Sequence, residues 1–109
     1  MSQISNVLRR VSDGYMHWCP GCSEAHRLPD GWQFDGNIDS PTFAPSFKHT
    51  FVRVAGVQLV CHYILAAGVL NYCGDCHHAL SGKSVPLPPL PDWLCDKLNV
   101  EESRNDDQR

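Results

Sequence analysis

The sequence predicts a mainly β fold: a small antiparallel β meander stapled by a zinc site, with one short C-terminal helix. Three observations carry that expectation. From Val57 to Cys73 two β-rich runs flank the break Ala66-Ala67-Gly68, which is a hairpin signal. Cys19 and Cys22 stand two residues apart around Pro20-Gly21, and Cys61, His62, Cys73, Cys76, His77 and His78 crowd into and just beyond the hairpin. Prolines at 41 and 45, and four more between Val85 and Pro91, keep those stretches out of helix.

In chain order, Asn6 to Trp18 reads as strand, turn, strand. Val7, Leu8 and Val11 precede the turn cluster Ser12-Asp13-Gly14, and Tyr15-Met16-His17-Trp18 resumes a β-favouring run. Pro29-Asp30-Gly31 excludes a long helix from Cys22. Trp32 to Phe34 alternates into a short strand ended by Asp35-Gly36-Asn37. Residues 41 to 46 form an extended loop pinned by Phe43. Ser46 to Val54 is β-rich, so three antiparallel strands are expected from Ser46 to Cys73. Val85 to Pro91 is expected as an extended strap and not as a ladder strand. Asp92 opens the short helix, Trp93 to Leu98. The core should draw on Trp32, Phe34, Phe51, Leu59, Tyr63, Leu65, Tyr72 and Trp93.

The chain has 109 residues, room for one domain with a modest core. Residues 1–100 are expected to form it, with a polar, disordered tail over 101–109. No apolar run approaches the roughly 20 residues of a membrane span. The first residues lack the basic start and apolar segment of a signal peptide, so a cytoplasmic location is expected. In that compartment six Cys favour thiolate metal ligands over disulfides. A net charge of −3 argues against broad nucleic-acid binding.

The two-residue spacer lets the sulfurs of Cys19 and Cys22 converge about 2.3 Å from a zinc ion. Hairpin parity sorts the remaining candidates. With Ala67-Gly68 as a two-residue loop, Ala66 pairs with Val69 and His62 faces Cys73. Cys61 then lies on the other side, with Leu59, Tyr63, Leu65, Leu70 and Tyr72, which should be the buried face. Cys61 with His78, Cys61 with Cys76, or His62 with His78 would each complete tetrahedral coordination, and Cys22-x-x-x-His26 allows a local third ligand. Buried parity favours Cys61. His17 and His49 read as ordinary surface or hydrogen-bonded side chains, and Cys95 as a small core residue.

The run Gly31-Trp32-x-Phe34-Asp35-Gly36-Asn37, then Pro41-Thr42-Phe43-x-Pro45-Ser46, Cys61-His62 and Asp75-Cys76-x-His78-x-Leu80-x-Gly82-Lys83-x-Val85-x-Leu87-Pro88 resembles a family of small phage and prophage proteins of unknown function, often mislabelled as ammonia monooxygenase. The resemblance covers roughly Tyr15 to Trp93; Cys73 and His77 fall outside its pattern. It implies that the Cys19–Cys22 knuckle, Cys61-His62 and Asp75-x-x-His78 belong to one constellation. With it, the expected metal set is Cys19, Cys22, Cys61 and His78.

The size of the chain, the closed site and the lack of a visible nucleophile–base pair point to a binding module, with structural zinc and a protein partner of host or phage origin. The alternative is a small zinc-dependent hydrolase or nucleic-acid-processing enzyme. There His62, Asp75 and His78 would surround an open metal position, and Asp75 or Asp35 would serve as general base.

Overall fold

The protein is described by a computed structural model, covering residues 3–94. It is mainly β, built from small antiparallel sheets around a cysteine and histidine cluster. The first sheet contains β1 (Arg9–Val11), β2 (Gly14–Cys19) and β3 (Glu24–Pro29), in that order. The turn at Ser12-Asp13 joins β1 to β2 as its composition requires. The knuckle Pro20 to Ser23 is itself the β2–β3 hairpin loop, so Cys19 pairs directly with Glu24 and His17 with His26. β3 was not evident in the sequence, because its alternation of buried His26 and Leu28 is too short to stand out from the loop signals around it.

β4 (Gln33–Phe34) pairs with β5 (Phe43–Ala44), so the expected extended loop carries a two-residue ladder. Phe43 is buried there and stacks on Phe34 with ring centroids 4.4 Å apart. The third sheet runs β6 (Phe47–Val54), β7 (Val57–Ala66), β8 (Val69–Tyr72), β9 (Ser84–Pro86). β6 to β8 form the expected meander. β9 does not fit the expectation of a mere strap: Asn71, Leu70 and Val69 pair with Ser84, Val85 and Pro86. An edge strand tolerates the missing N–H of proline, since its outer side has no ladder to complete.

Hairpin parity holds along β7. Ala66 pairs with Val69 and Tyr63 with Tyr72, through a turn in which Ala67 and Gly68 both take positive φ, 50° and 75°. That is the backbone hand a two-residue hairpin loop needs. Cys61, Tyr63, Leu65, Leu70 and Tyr72 are buried, joined by Leu8, Leu28, Phe43 and Leu87. Ile64 on the other face is exposed.

Two expectations about the C-terminal part need correction. Among the described residues the expected helix shows as a 3-10 turn, Asp92–Leu94, and Trp93 is 61 % exposed instead of belonging to the core. Trp93 meets Trp18 edge-on on the surface, at 5.8 Å between centroids. The strap before it is tied to the N-terminus by Leu90 N–H donating to the Asn6 carbonyl. The rest of the expected helix, Cys95 and the polar tail lie outside the described residues. No helix among the described residues is long and apolar enough to cross a membrane.

Candidate functional site

The two faces of β7 carry different chemistry. On the inner face, ligand atoms of Cys19, Cys22, His26 and Cys61 all lie within 4.8 Å of one another, and all four residues are buried. Three separate local reasons bring them together. The Cys19–Cys22 knuckle turns both sulfurs inward, and the Cys22 backbone N–H points at Cys19 Sγ at 3.4 Å. Register on β7 places Cys61 opposite, with its sulfur 3.9 Å from that of Cys19. His26, paired with His17 across β2–β3, is stacked on Phe47 at 4.6 Å.

His77 and His78 close the rim from the segment after β8. His78 Nε2 lies 3.5 Å from Cys61 Sγ, and His77 Nε2 lies 3.5 Å from Cys22 Sγ. The His78 ring occupies the space where a Cβ on Gly21 would be, so glycine is needed there for close approach and not for a special φ. Cys76 takes another role: its thiol donates to the His62 carbonyl at 3.0 Å and accepts the His62 N–H at 3.3 Å.

The electrostatics favour a cation in this cluster. The Cys61 thiol, then the Tyr72 hydroxyl at 3.1 Å and the Cys22 N–H, hold Cys19 down at about 6 against the effect of burial. Burial and the neighbouring Cys19 thiolate push Cys22 up to about 12. Contact with Cys19 and burial push Cys61 strongly up. Without a metal only one sulfur can ionise easily; a divalent cation removes that conflict. His26 Nε2 is a buried nitrogen with no hydrogen-bond partner. Three thiols and an imidazole are a donor set that suits a soft or borderline metal, so this cluster could hold a metal ion.

Behind it, His17 is fully buried and bonded to the Tyr63 hydroxyl at 2.6 Å. Burial lowers His17 from the ordinary 6.5 to about 4. In the unfolded chain the ring takes its proton near 6.5, whereas in the fold it resists until about 4. Between those values the unfolded state binds more protons, so stability falls as pH falls through the window. The loss from His17 alone amounts to about 3 kcal/mol. Urea denaturation across that window should show the slope, and His17→Gln should make it shallower by the His17 share, with the share of His26, which burial lowers to about 3, remaining.

The outer face carries His62. Its Nδ1 lies 3.2 Å from both carboxylate oxygens of Asp75. A local irregularity creates this contact. Cys73 N–H donates to the His62 carbonyl at 2.8 Å, and the next bond to β7 is His77 N–H to the Val60 carbonyl at 2.8 Å. Hairpin register would give that acceptor to residue 75, so the segment holds two residues in excess and swings Asp75 over His62. Burial raises the Asp75 carboxyl, but the His62 hydrogen bond and the charges of His62 and Lys48 outweigh it and leave it below the ordinary range. His62, Cys73 and Asp75 offer donor atoms within 4.8 Å of one another.

Sequence reasoning correctly separated Cys61 from His62. It did not bring out the buried His17–Tyr63–His26 chain, whose partners lie up to 46 residues apart, or the pairing of His62 with Asp75 as a hydrogen-bonded unit. The spacing from Cys73 to His77 was the signal for the latter. His49 is exposed, and Asp35 accepts N–H groups from Asn37 and Thr42 in its own turn, away from the metal cluster.

No curated protein and no solved structure matches the chain. Residues 2–73 match the family model BubE, described as bacterial ubiquitination-like system serine protease. That stretch includes the knuckle, His26, Ser46, Cys61 and His62, and covers well over half of the chain. The chain therefore belongs to the BubE family.

Proposed function

We propose that this chain is a serine-type peptidase in which Ser46 is the nucleophile, His62 the general base and Asp75 the residue that orients the base, on a β domain stapled by zinc. The observation that carries the reading is the His62 Nδ1–Asp75 contact at 3.2 Å on the accessible face of β7. It engages the nitrogen that a catalytic histidine gives to its carboxylate, and leaves Nε2 for a nucleophile. Side-chain exposures of 25 % and 48 % keep the pair open to substrate.

Ser46 is the hydroxyl that register supplies. Lys48 pairs with His62, and β6 begins at Phe47; carried back one residue, its alternation would set exposed Ser46 on the side of Lys48, diagonal to His62. Diagonal neighbours are about 7 Å apart, so the serine–histidine hydrogen bond would have to form in the substrate complex. Thr50 lies on the other diagonal, and the Cys73 thiol is also near His62. The family description favours serine, and Ser46 is an exposed hydroxyl adjoining β6.

In this reading zinc has no part in the chemistry. Three thiolates and an imidazole would fill its coordination, so it would hold β2, β3 and β7 together and fix β7 beneath His62. The test is a fluorophosphonate probe, which labels activated serine hydroxyls. Mass spectrometry should find the adduct on Ser46, lost in Ser46→Ala and much slower in His62→Ala. An adduct on Thr50, or a probe-inert protein whose Cys73 alone is alkylated rapidly, would reassign the nucleophile. A protein inert to both reagents would favour the metal-stapled binding module, for which the exposed Val52, Val57, Ile64 and Trp93 offer apolar contact area.

A further inference from the structure

The metal cluster has more histidines at hand than a tetrahedral site needs: His26 within the thiol group, and His78 and His77 on its rim. Which one ligates depends on which ring nitrogen carries the proton, and two backbone groups fix that. A carbonyl can only accept and an amide N–H can only donate.

The first fixed point is the Trp18 carbonyl, 3.2 Å from His17 Nδ1, so that nitrogen carries the proton. His17 Nε2 is then an acceptor, and takes the Tyr63 hydroxyl hydrogen at 2.6 Å. Tyr63 has one hydrogen, so toward His26 its oxygen can only accept. His26 Nδ1 donates to it at 3.2 Å. The remaining atom, His26 Nε2, is left with a bare lone pair. It is the buried nitrogen without a hydrogen-bond partner, on a residue only 4 % exposed. The Glu24 carboxylate oxygen is 3.8 Å from it, beyond hydrogen-bond range.

The second fixed point gives His78 the opposite tautomer. The Leu80 N–H donates to His78 Nδ1 at 3.3 Å, so His78 Nε2 carries the hydrogen. That nitrogen is 3.5 Å from Cys61 Sγ, a suitable distance for donating to a sulfur. His78 is thereby a hydrogen-bond partner of the thiolate and not a ligand.

We infer that Cys19, Cys22 and Cys61 are completed as a zinc-type site by His26 Nε2, and that the Trp18 carbonyl–His17–Tyr63 chain fixes the His26 ring in its metal-binding tautomer. Tyr63 and His17 are positioning residues for the metal, acting through His26, and His78 stabilises the Cys61 thiolate from outside the coordination sphere. Ligating histidines commonly donate their other N–H to such a partner, and loss of that partner typically lowers metal affinity 10- to 100-fold.

The inference rests on the metal site of the proposed function and not on its catalytic residues, and the test separates the two. The full chain is loaded with NMR-active cadmium, and scalar coupling from the metal to imidazole ring protons is read. Coupling to the His26 ring is expected, with long-range proton–nitrogen spectra placing the His26 proton on Nδ1 and the His78 proton on Nε2. Tyr63→Phe keeps the packed ring and should lower cadmium or cobalt affinity 10- to 100-fold. His78→Gln, which retains a donor, should bind within a few-fold of the parent. Coupling to His78 or His77, coupling to no histidine, or unchanged affinity in Tyr63→Phe would overturn the assignment while leaving the proposed triad intact. Failure to take up any metal would overturn both this assignment and the zinc staple.

Discussion

Asp75→Asn is expected to lower turnover of an activated ester or peptide substrate by about four orders of magnitude, with the fold and metal content unchanged. The size follows from what the carboxylate does in such a triad. It holds the imidazole with Nδ1 protonated, so that Nε2 can take the proton of the serine, and it stabilises the imidazolium that forms. An amide at the same place can turn its own N–H to Nδ1 and fix the wrong tautomer. Asp75 suits this change because its carboxyl is 48 % exposed and its contact is with His62 alone of the site histidines. Ser46→Ala and His62→Ala should each cost as much or more, and the double variant should be little worse than either single one, since the residues act as a unit. Active-site titration alongside circular dichroism checks the result. A loss of less than tenfold in Asp75→Asn would remove Asp75 from the mechanism.

Cys61→Ser should have the largest effect on stability. Cys61 is fully buried, sits 3.9 Å from Cys19 Sγ, and belongs to the only all-buried group of metal-capable residues among those described. Structural zinc contributes on the order of 10 kcal/mol to small domains that depend on it. Losing even about 3 kcal/mol of that would lower the melting temperature by roughly 10–25 °C in a domain of this size. Chelation of the parent should reproduce most of the shift. His62→Ala, the adjacent position in the chain, should keep its metal and melt within a few degrees of the parent, although it loses activity. Metal content and melting curves for the two variants give the comparison. A His62→Ala protein that loses metal while Cys61→Ser retains it would contradict the face assignment of β7.

The hairpin was the most legible part of the chain. Ala67-Gly68 fixes its loop length, loop length fixes register, and register puts Cys61 inside and His62 outside. The knuckle was legible for the same reason: its chemistry is contained in four consecutive residues. What was hidden depends on contacts distant in sequence. Nothing near His17 indicates that its partner is Tyr63, and His26 gains its bare lone pair only through both of them. β9 was hidden by its proline, which a central strand would exclude and an edge strand admits. Trp93 reads as core from its place on the apolar stripe of the expected helix; in the structure it lies in a 3-10 turn, 61 % exposed and edge-on to Trp18. Ser46 has no local signature, since one hydroxyl after a proline is common in loops; what draws notice to it is its place just before β6, the strand beside His62.

The two surplus residues between Cys73 and His77 make Asp75 the crown of a small arch anchored at both feet on β7. The reactive face therefore depends on a length as much as on an identity. Removing both surplus residues, Gly74 and Cys76, would restore a flat ladder with Asp75 opposite Cys61, its carboxylate turned to the inner face and away from His62. Removing one would set the feet out of phase and take the anchoring N–H off the Val60 carbonyl. A chain could keep Asp75, His62 and Ser46 and still lose the assembly by deletion of a neighbour such as Gly74, whose added Cβ would meet nothing within 4 Å. Spacing across those five positions, Cys73 to His77, is thus the feature to read first when judging whether another chain with this hairpin can orient its histidine.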